Sequence, residues 1–248
     1  MASGRRSSHY TLVDLRNLCI PTTPEIKKAL ALILATSIGP DGGINPSKDI
    51  EQSDVCINGM FLNYGCYFGT DEEKLRSVVD FIISQQLADG GFNCRLNRSG
   101  ARHSSMHSTI SVLEGIREYI AAGYAFRAEE LKRIEGEAQE FLLRHRLFKS
   151  DHTGAVIHPS FLKLVYPPRW RYDILRALDY FQSVGYPYDE RLQDALDILK
   201  EKRLSDGRWK TQAHHPGEVH FQMEQAGKPS RWSTLRCLRV LEYYDRDA

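Results

Sequence analysis

The chain has little that would place it in a membrane or on nucleic acid. No apolar run approaches the length of a bilayer span, and Arg5 and Arg6 have no apolar stretch behind them. Neither a transmembrane helix nor a cleaved signal peptide is therefore expected. Net charge is nearly absent: 33 Lys and Arg stand against 32 Asp and Glu, a formal +1. Nothing of one sign is left over to steer the protein toward nucleic acid or anionic lipid. Cysteine is sparse, with five residues at Cys19, Cys56, Cys66, Cys94 and Cys237. An odd number without a CxxC pair argues against a disulfide framework and for a reducing, cytoplasmic setting. A Ser–His–Asp elbow, an HExxH motif and a phosphate loop are all lacking, as is any strand-like alternation of apolar and polar residues.

What is there is helical. At 248 residues, 42% apolar and 26% charged, the chain can bury one large core. Residues 1–22 are polar and expected to be irregular, with residues 23–248 as a single domain. Thr22 and Thr23 before Pro24 signal a helix start, and the pattern runs to about Ser37. From about Asp54 to Phe68 a helix is expected that is apolar nearly all round, hence buried on every side. From Asp71 to Gln86, Leu75, Val78, Val79 and Ile82 make one buried stripe opposite charged residues. Similar inner and outer stretches follow at Ser104–Ile120, Ala128–Arg146, Arg169–Val184, Glu190–Arg203 and Ser230–Tyr244.

The stops between them repeat. Asp41-Gly-Gly, Asp89-Gly-Gly-Phe, Asp151-His-Thr-Gly and Asp206-Gly-Arg-Trp recur at spacings of 48, 62 and 55 residues. Each follows an outer helix and precedes an inner one. A period near fifty with two helices per unit marks a helical repeat architecture, all-α, with about four hairpins.

Gln85-Gln-Leu-Ala-Asp-Gly-Gly-Phe92 resembles the Gln…Asp-Gly-Gly/Ser-Trp/Phe repeat of the terpene cyclase and protein prenyltransferase superfamily. Ser205-Asp-Gly-Arg-Trp209 is a second copy and Pro40-Asp-Gly-Gly43 a truncated one. The resemblance spans about residues 24–244. It implies an α/α toroid in which inner helices line a central cavity and outer helices wrap them. Fewer than six hairpins are present, so closure would fall to the N-terminal segment or a second subunit. The chain lacks the DxDD motif of squalene–hopene-type cyclases, which argues against cyclisation. Against the zinc-dependent prenyltransferase β subunits, Asp54-Val-Cys56 and His107 look like the Asp-x-Cys and His elements of successive inner helices. The resemblance implies zinc held by Asp54, Cys56 and His107, with Lys48 near a diphosphate site that Glu51 interrupts.

Carboxylate, thiolate and imidazole suit zinc, and three protein ligands leave a position open for a substrate thiol or a water. Residues i and i+2 of a helix point apart, so Asp54 must sit at the N-cap and Cys56 in the first turn. The plainer account makes Cys56 a small buried residue and Asp54 a helix cap. His103 and His107 are four apart, as two residues on one helix face would be, with His103 as a rim residue. His214, His215, His220 and Glu224 form a second cluster on a loop, where solvated or backbone-bonded histidines are the usual outcome. Trp170, Tyr172, Trp232 and Phe221 near inner-helix starts suit the wall of an apolar cavity, or plain core. Arg169, Arg171 and Arg231 occupy helix entrances and suit either an anionic ligand or salt bridges with Asp173, Glu218 or Glu224. Cys66, Cys94 and Cys237 lack an activating neighbour in sequence and are expected to be inert.

Two functional classes follow. One is a zinc-dependent, prenyltransferase-like enzyme acting on an apolar isoprenoid-type or thiol substrate. It would have Asp54, Cys56 and His107 on the metal, and Lys48, Arg169 and Arg171 on an anionic group. The other is a non-catalytic toroid that binds a ligand or protein partner, its metal structural or absent. A partner subunit or a homo-oligomer is compatible with either.

Overall fold

A computed structural model describes residues 8–47, 50–212 and 222–245. It is mostly helical. The strands among the described residues are a two-residue antiparallel pair, β1 (Trp209–Lys210) and β2 (Pro229–Ser230), with Trp209 opposite Ser230. The helices are α1 (Ser8–Asn17), α2 (Pro24–Thr36), α3 (Val55–Tyr67), α4 (Glu72–Ser84), α5 (Leu96–Ser99), α6 (Met106–Ala121), α7 (Ala128–Arg144), α8 (Ile174–Ser183), α9 (Gln193–Glu201) and α10 (Arg231–Asp245). None is long and apolar enough to cross a membrane. The chain folds as two compact units that meet in sequence between Phe141 and Leu142.

In the unit ending at Phe141, α3 is the centre. Its sequence carries no charge, and it is buried from Asn58 to Cys66. The reason is its neighbours: α1, α4 and α6 all pack on it. Residues 1–22, expected to be irregular, thus contain a helix that covers α3. Within it His9 is buried, and its Nδ1 lies 2.6 Å from the Tyr64 hydroxyl. The approach of α6 to α3 is set by glycine. A Cβ on Gly59 would lie 2.4 Å from the Ser111 carbonyl oxygen, and one on Gly115 would lie 2.5 Å from the Gly59 carbonyl oxygen. Asn63 adds a side-chain bond to the Glu114 carbonyl, at 2.9 Å. The outer helix α4 buries Leu75, Val78, Val79 and Ile82, the stripe its spacing predicts.

In the unit beginning at Leu142, α8 packs against α9 and α10. Trp209 is fully buried and its indole N–H donates to the Leu199 carbonyl, 2.7 Å. The predicted helix from Arg169 starts later, at Ile174, because Asp173 caps it by accepting from the Arg176 amide. Arg169, Trp170, Arg171 and Tyr172 therefore lie in the preceding loop, where Arg169 takes a left-handed backbone (φ 53°).

Three of the four Asp-Gly stops are the same turn. Gly39, Leu87 and Leu204 each donate to the carbonyl four residues on, at 2.8, 2.9 and 2.8 Å. The middle glycine has positive φ in each, 82° at Gly42, 93° at Gly90 and 82° at Gly207, which a β-carbon would disfavour. The stop at Asp151 is different: Ser150 instead pairs with Ala155 and Gly154 bonds back to Ser150. Each of the three matching turns is then pinned to a longer helix further along the chain. The amide of Ile44 bonds to Asn58 Oδ1 (2.6 Å), that of Phe92 to Thr109 Oγ1 (3.0 Å), and that of Trp209 to Thr234 Oγ1 (3.0 Å). All three acceptors are the fourth residues of their helices, α3, α6 and α10. A shared register follows: Cys56, His107 and Trp232 are all second residues.

A candidate thiol site at the mouth of α3

The aspartates of the first two turns hold the chain just before α3 and α6. Asp41 accepts from the Ser53 amide and hydroxyl, both at 2.7 Å, and Asp89 does the same for Ser104 at 2.8 and 2.5 Å. Asp206 has no such task; it pairs with exposed Arg208 at 2.7 Å. The first two helix mouths are thus fixed by buried or half-buried polar contacts.

Asp54 is the N-cap residue of α3 and its side chain makes no capping hydrogen bond. Cys56 sits in the first turn, the arrangement an Asp-x-Cys site requires. The structure then adds a residue that sequence reasoning set aside. Cys94, two residues past Phe92, lies against Cys56: the Cys56 amide donates to its sulfur at 3.3 Å. Ser108 in α6 donates its hydroxyl to the same sulfur, also 3.3 Å, and accepts from the Cys94 amide at 3.1 Å. The two cysteine side chains interact, and this drives their acidities apart. The Cys56 side chain pulls Cys94 below the ordinary cysteine value, with help from Ser108. Cys94 in turn pushes Cys56 well above it, reinforced by burial and by repulsion from Asp54. Cys94 is the sulfur better held as an anion.

The other site residues are placed as follows. His107 is half-buried in the first turn of α6, and its carbonyl accepts from Ser111 at 3.1 Å. His103 precedes α6 rather than sharing a face of it with His107; it is exposed and its carbonyl accepts from Asn93 at 2.7 Å. Among the described residues, no three His, Cys, Asp or Glu side chains are gathered as a metal ion would need. Asp54, Cys56 and His107 carry the carboxylate, thiolate and imidazole chemistry of zinc ligands. Cys66 and Cys237 are buried, which pushes both thiols far up.

In the other unit, Tyr172 is a core residue whose hydroxyl donates to the Leu147 carbonyl at 2.5 Å. Trp170 is half-buried, with the Arg171 guanidinium 4.9 Å above its ring. Trp232 stacks on Tyr166 at 5.3 Å. Arg169 and Arg171 stand in the loop before α8, whereas Arg231 is the first residue of α10, so the three are not equivalent. The ion pairs that matter there were not legible in sequence. Half-buried Arg236 reaches Asp179 through Nε at 3.0 Å, and Arg239 also pairs with Asp179. Asp173 beside them is pushed up by burial, against the pull of Arg236 and Arg176. Glu224 caps α10, accepting from the Arg231 amide at 2.6 Å and from the Ser230 hydroxyl. Lys48, Phe221, His214, His215, His220 and Glu218 lie outside the described residues.

No protein-family model matches the chain, and no curated protein matches it. Among solved structures it is similar to a polysaccharide lyase, with a TM-score of 0.50 and 12% identity over 95% of this chain and 70% of that one. At that identity the likeness is one of fold.

Proposed function

We propose that the chain is an α/α toroid of the prenyltransferase and terpene-cyclase type, with fewer than six hairpins. Its site lies at the mouths of α3 and α6 and takes an apolar isoprenoid-type or thiol substrate. The observation that carries this is the shared register of Cys56 and His107. The two inner helices that bear them pack on each other, and identical Asp-Gly-Gly turns precede both. That is the repeat logic the sequence resemblance implies. Likeness to a polysaccharide lyase supports a helical scaffold but does not choose a substrate, because one fold hosts many chemistries.

The chain's own residues supply the chemistry at this mouth. Cys94 accepts the Cys56 amide and the Ser108 hydroxyl, so it is the sulfur that meets an electrophile. Asp54 sets negative charge beside both sulfurs and opposes a second anion there. Zinc enters the reading through the donor chemistry of Asp54, Cys56 and His107 alone, and would supply a Lewis acid for a substrate thiol. Elemental analysis of the wild type and of Cys56→Ala tests it. About one zinc per chain, lost in the variant, is the expected result for a zinc-dependent transferase. Metal in neither protein would sink the transferase reading in favour of a toroid that binds a ligand or partner.

A further inference from the structure

We propose that Cys56 and Cys94 form a redox-active dithiol that exchanges with small disulfides. Three observations converge on the pair. The Cys94 sulfur lies 3.3 Å from the Cys56 amide nitrogen, at the first turn of a helix whose N–H groups favour an anion. Ser108 donates to the same sulfur at 3.3 Å and is itself buried, so the sulfur is held in one place. Both cysteines are free and half-buried, unlike Cys66 and Cys237, which are sealed in the core. Cys56 in the first turn of α3 and Cys94 in the turn before α5, 38 residues apart in sequence, are thus brought side by side.

The exchange balances without a cofactor. Cys94, as its thiolate, attacks one sulfur of a low-molecular-weight disulfide. A Cys94 mixed disulfide forms and one thiolate leaves. Cys56 then gives up its thiol proton, which that thiolate takes, and attacks the Cys94 sulfur. The Cys56–Cys94 disulfide forms and the second thiolate is released. The protein's two sulfurs are oxidised by two electrons and the small disulfide is reduced to one thiol and one thiolate.

The pair shares Cys56 with the zinc reading, so metal and disulfide are read on one sample to tell the two apart. The test treats the full-length protein as purified with glutathione disulfide, and maps the cysteines by non-reducing peptide mass spectrometry. Metal content is measured on the same sample, so bound zinc is detected. In the wild type a Cys56–Cys94 disulfide is expected to exceed the glutathione adduct of Cys94 by roughly tenfold. In Cys56→Ser the ratio reverses, because the adduct on Cys94 has no resolving thiol. In Cys94→Ser neither species forms at Cys56. Exposed Cys19 takes up glutathione in every sample and shows that the oxidant is active. Cys56 and Cys94 both remaining reduced while Cys19 is modified would overturn the proposal. So would a stable adduct on Cys94 in the wild type.

Discussion

His9 is buried against Tyr64, and burial alone lowers its pKa from 6.5 to about 4. A buried imidazole resists protonation because the charge would have to leave water. The unfolded chain protonates at the ordinary value, so below pH 6.5 it binds a proton that the folded chain refuses. Stability is then full above pH 6.5 and falls as the pH drops toward 4, by up to about 3 kcal/mol. Urea unfolding at pH 7.5 and 4.5 should show this loss, and His9→Gln should flatten it; an unchanged slope in the variant would refute the assignment. His9 was not legible because its partner is 55 residues away. The same holds for Cys94. Asp54-Val-Cys56 announces itself as a helix mouth from local residues, whereas Cys94 becomes a neighbour only when the Asp89 turn folds back. Its sequence signal was its place two residues after the Asp-Gly-Gly-Phe stop, opposite Ser108 of the next helix.

The helices were more legible than the contacts between them. An uncharged α3 could only be buried, and the stripe on α4 could only face inward, so both follow from spacing. What spacing does not contain is how closely two inner helices approach. Gly59 and Gly115 set that distance, with the Cβ of either overlapping a backbone carbonyl. In an isolated helix Gly→Ala stabilises by about 1 kcal/mol. At Gly59 the sign should reverse, since the clash is with backbone and cannot be relieved by rotating a side chain. Gly59→Ala should cost roughly 2–4 kcal/mol. Gly136 in α7 has open space where its Cβ would go, so Gly136→Ala should instead gain about 0.5–1 kcal/mol. Chemical denaturation of both variants checks the pair, and a Gly59→Ala protein as stable as the wild type would mean that α3 and α6 are further apart than described. Helix starts show a related gap. Arg169 is polar and follows two prolines, which reads as a helix entrance, but Asp173 is the residue that satisfies the first free amides.

Across the chain, the repeat was readable because it is written in turn chemistry. Aspartate and glycine recur where a tight turn and a positive φ recur, and the structure shows the same hydrogen bonds at three of the four stops. Asp151 carries the composition of the motif without its geometry: its loop closes between Ser150 and Ala155 instead. The five cysteines sort by burial in a way composition could not reveal, and they give each compact unit its own reporter. Cys66 is sealed within the unit that ends at Phe141, and Cys237 within the unit that begins at Leu142. Both thiols are held neutral by burial, and a neutral, inaccessible thiol does not react. In native buffer a maleimide should label exposed Cys19 first and the Cys56–Cys94 pair next, leaving Cys66 and Cys237 untouched. Across a urea series, labelling of Cys66 should rise with the unfolding of its unit and labelling of Cys237 with that of the other. Peptide mapping after a short pulse reads the two thiols separately. Labelling of either one in native buffer at the rate of Cys19 would show that the unit around it opens without unfolding, and that its burial does not protect the core it was taken to mark.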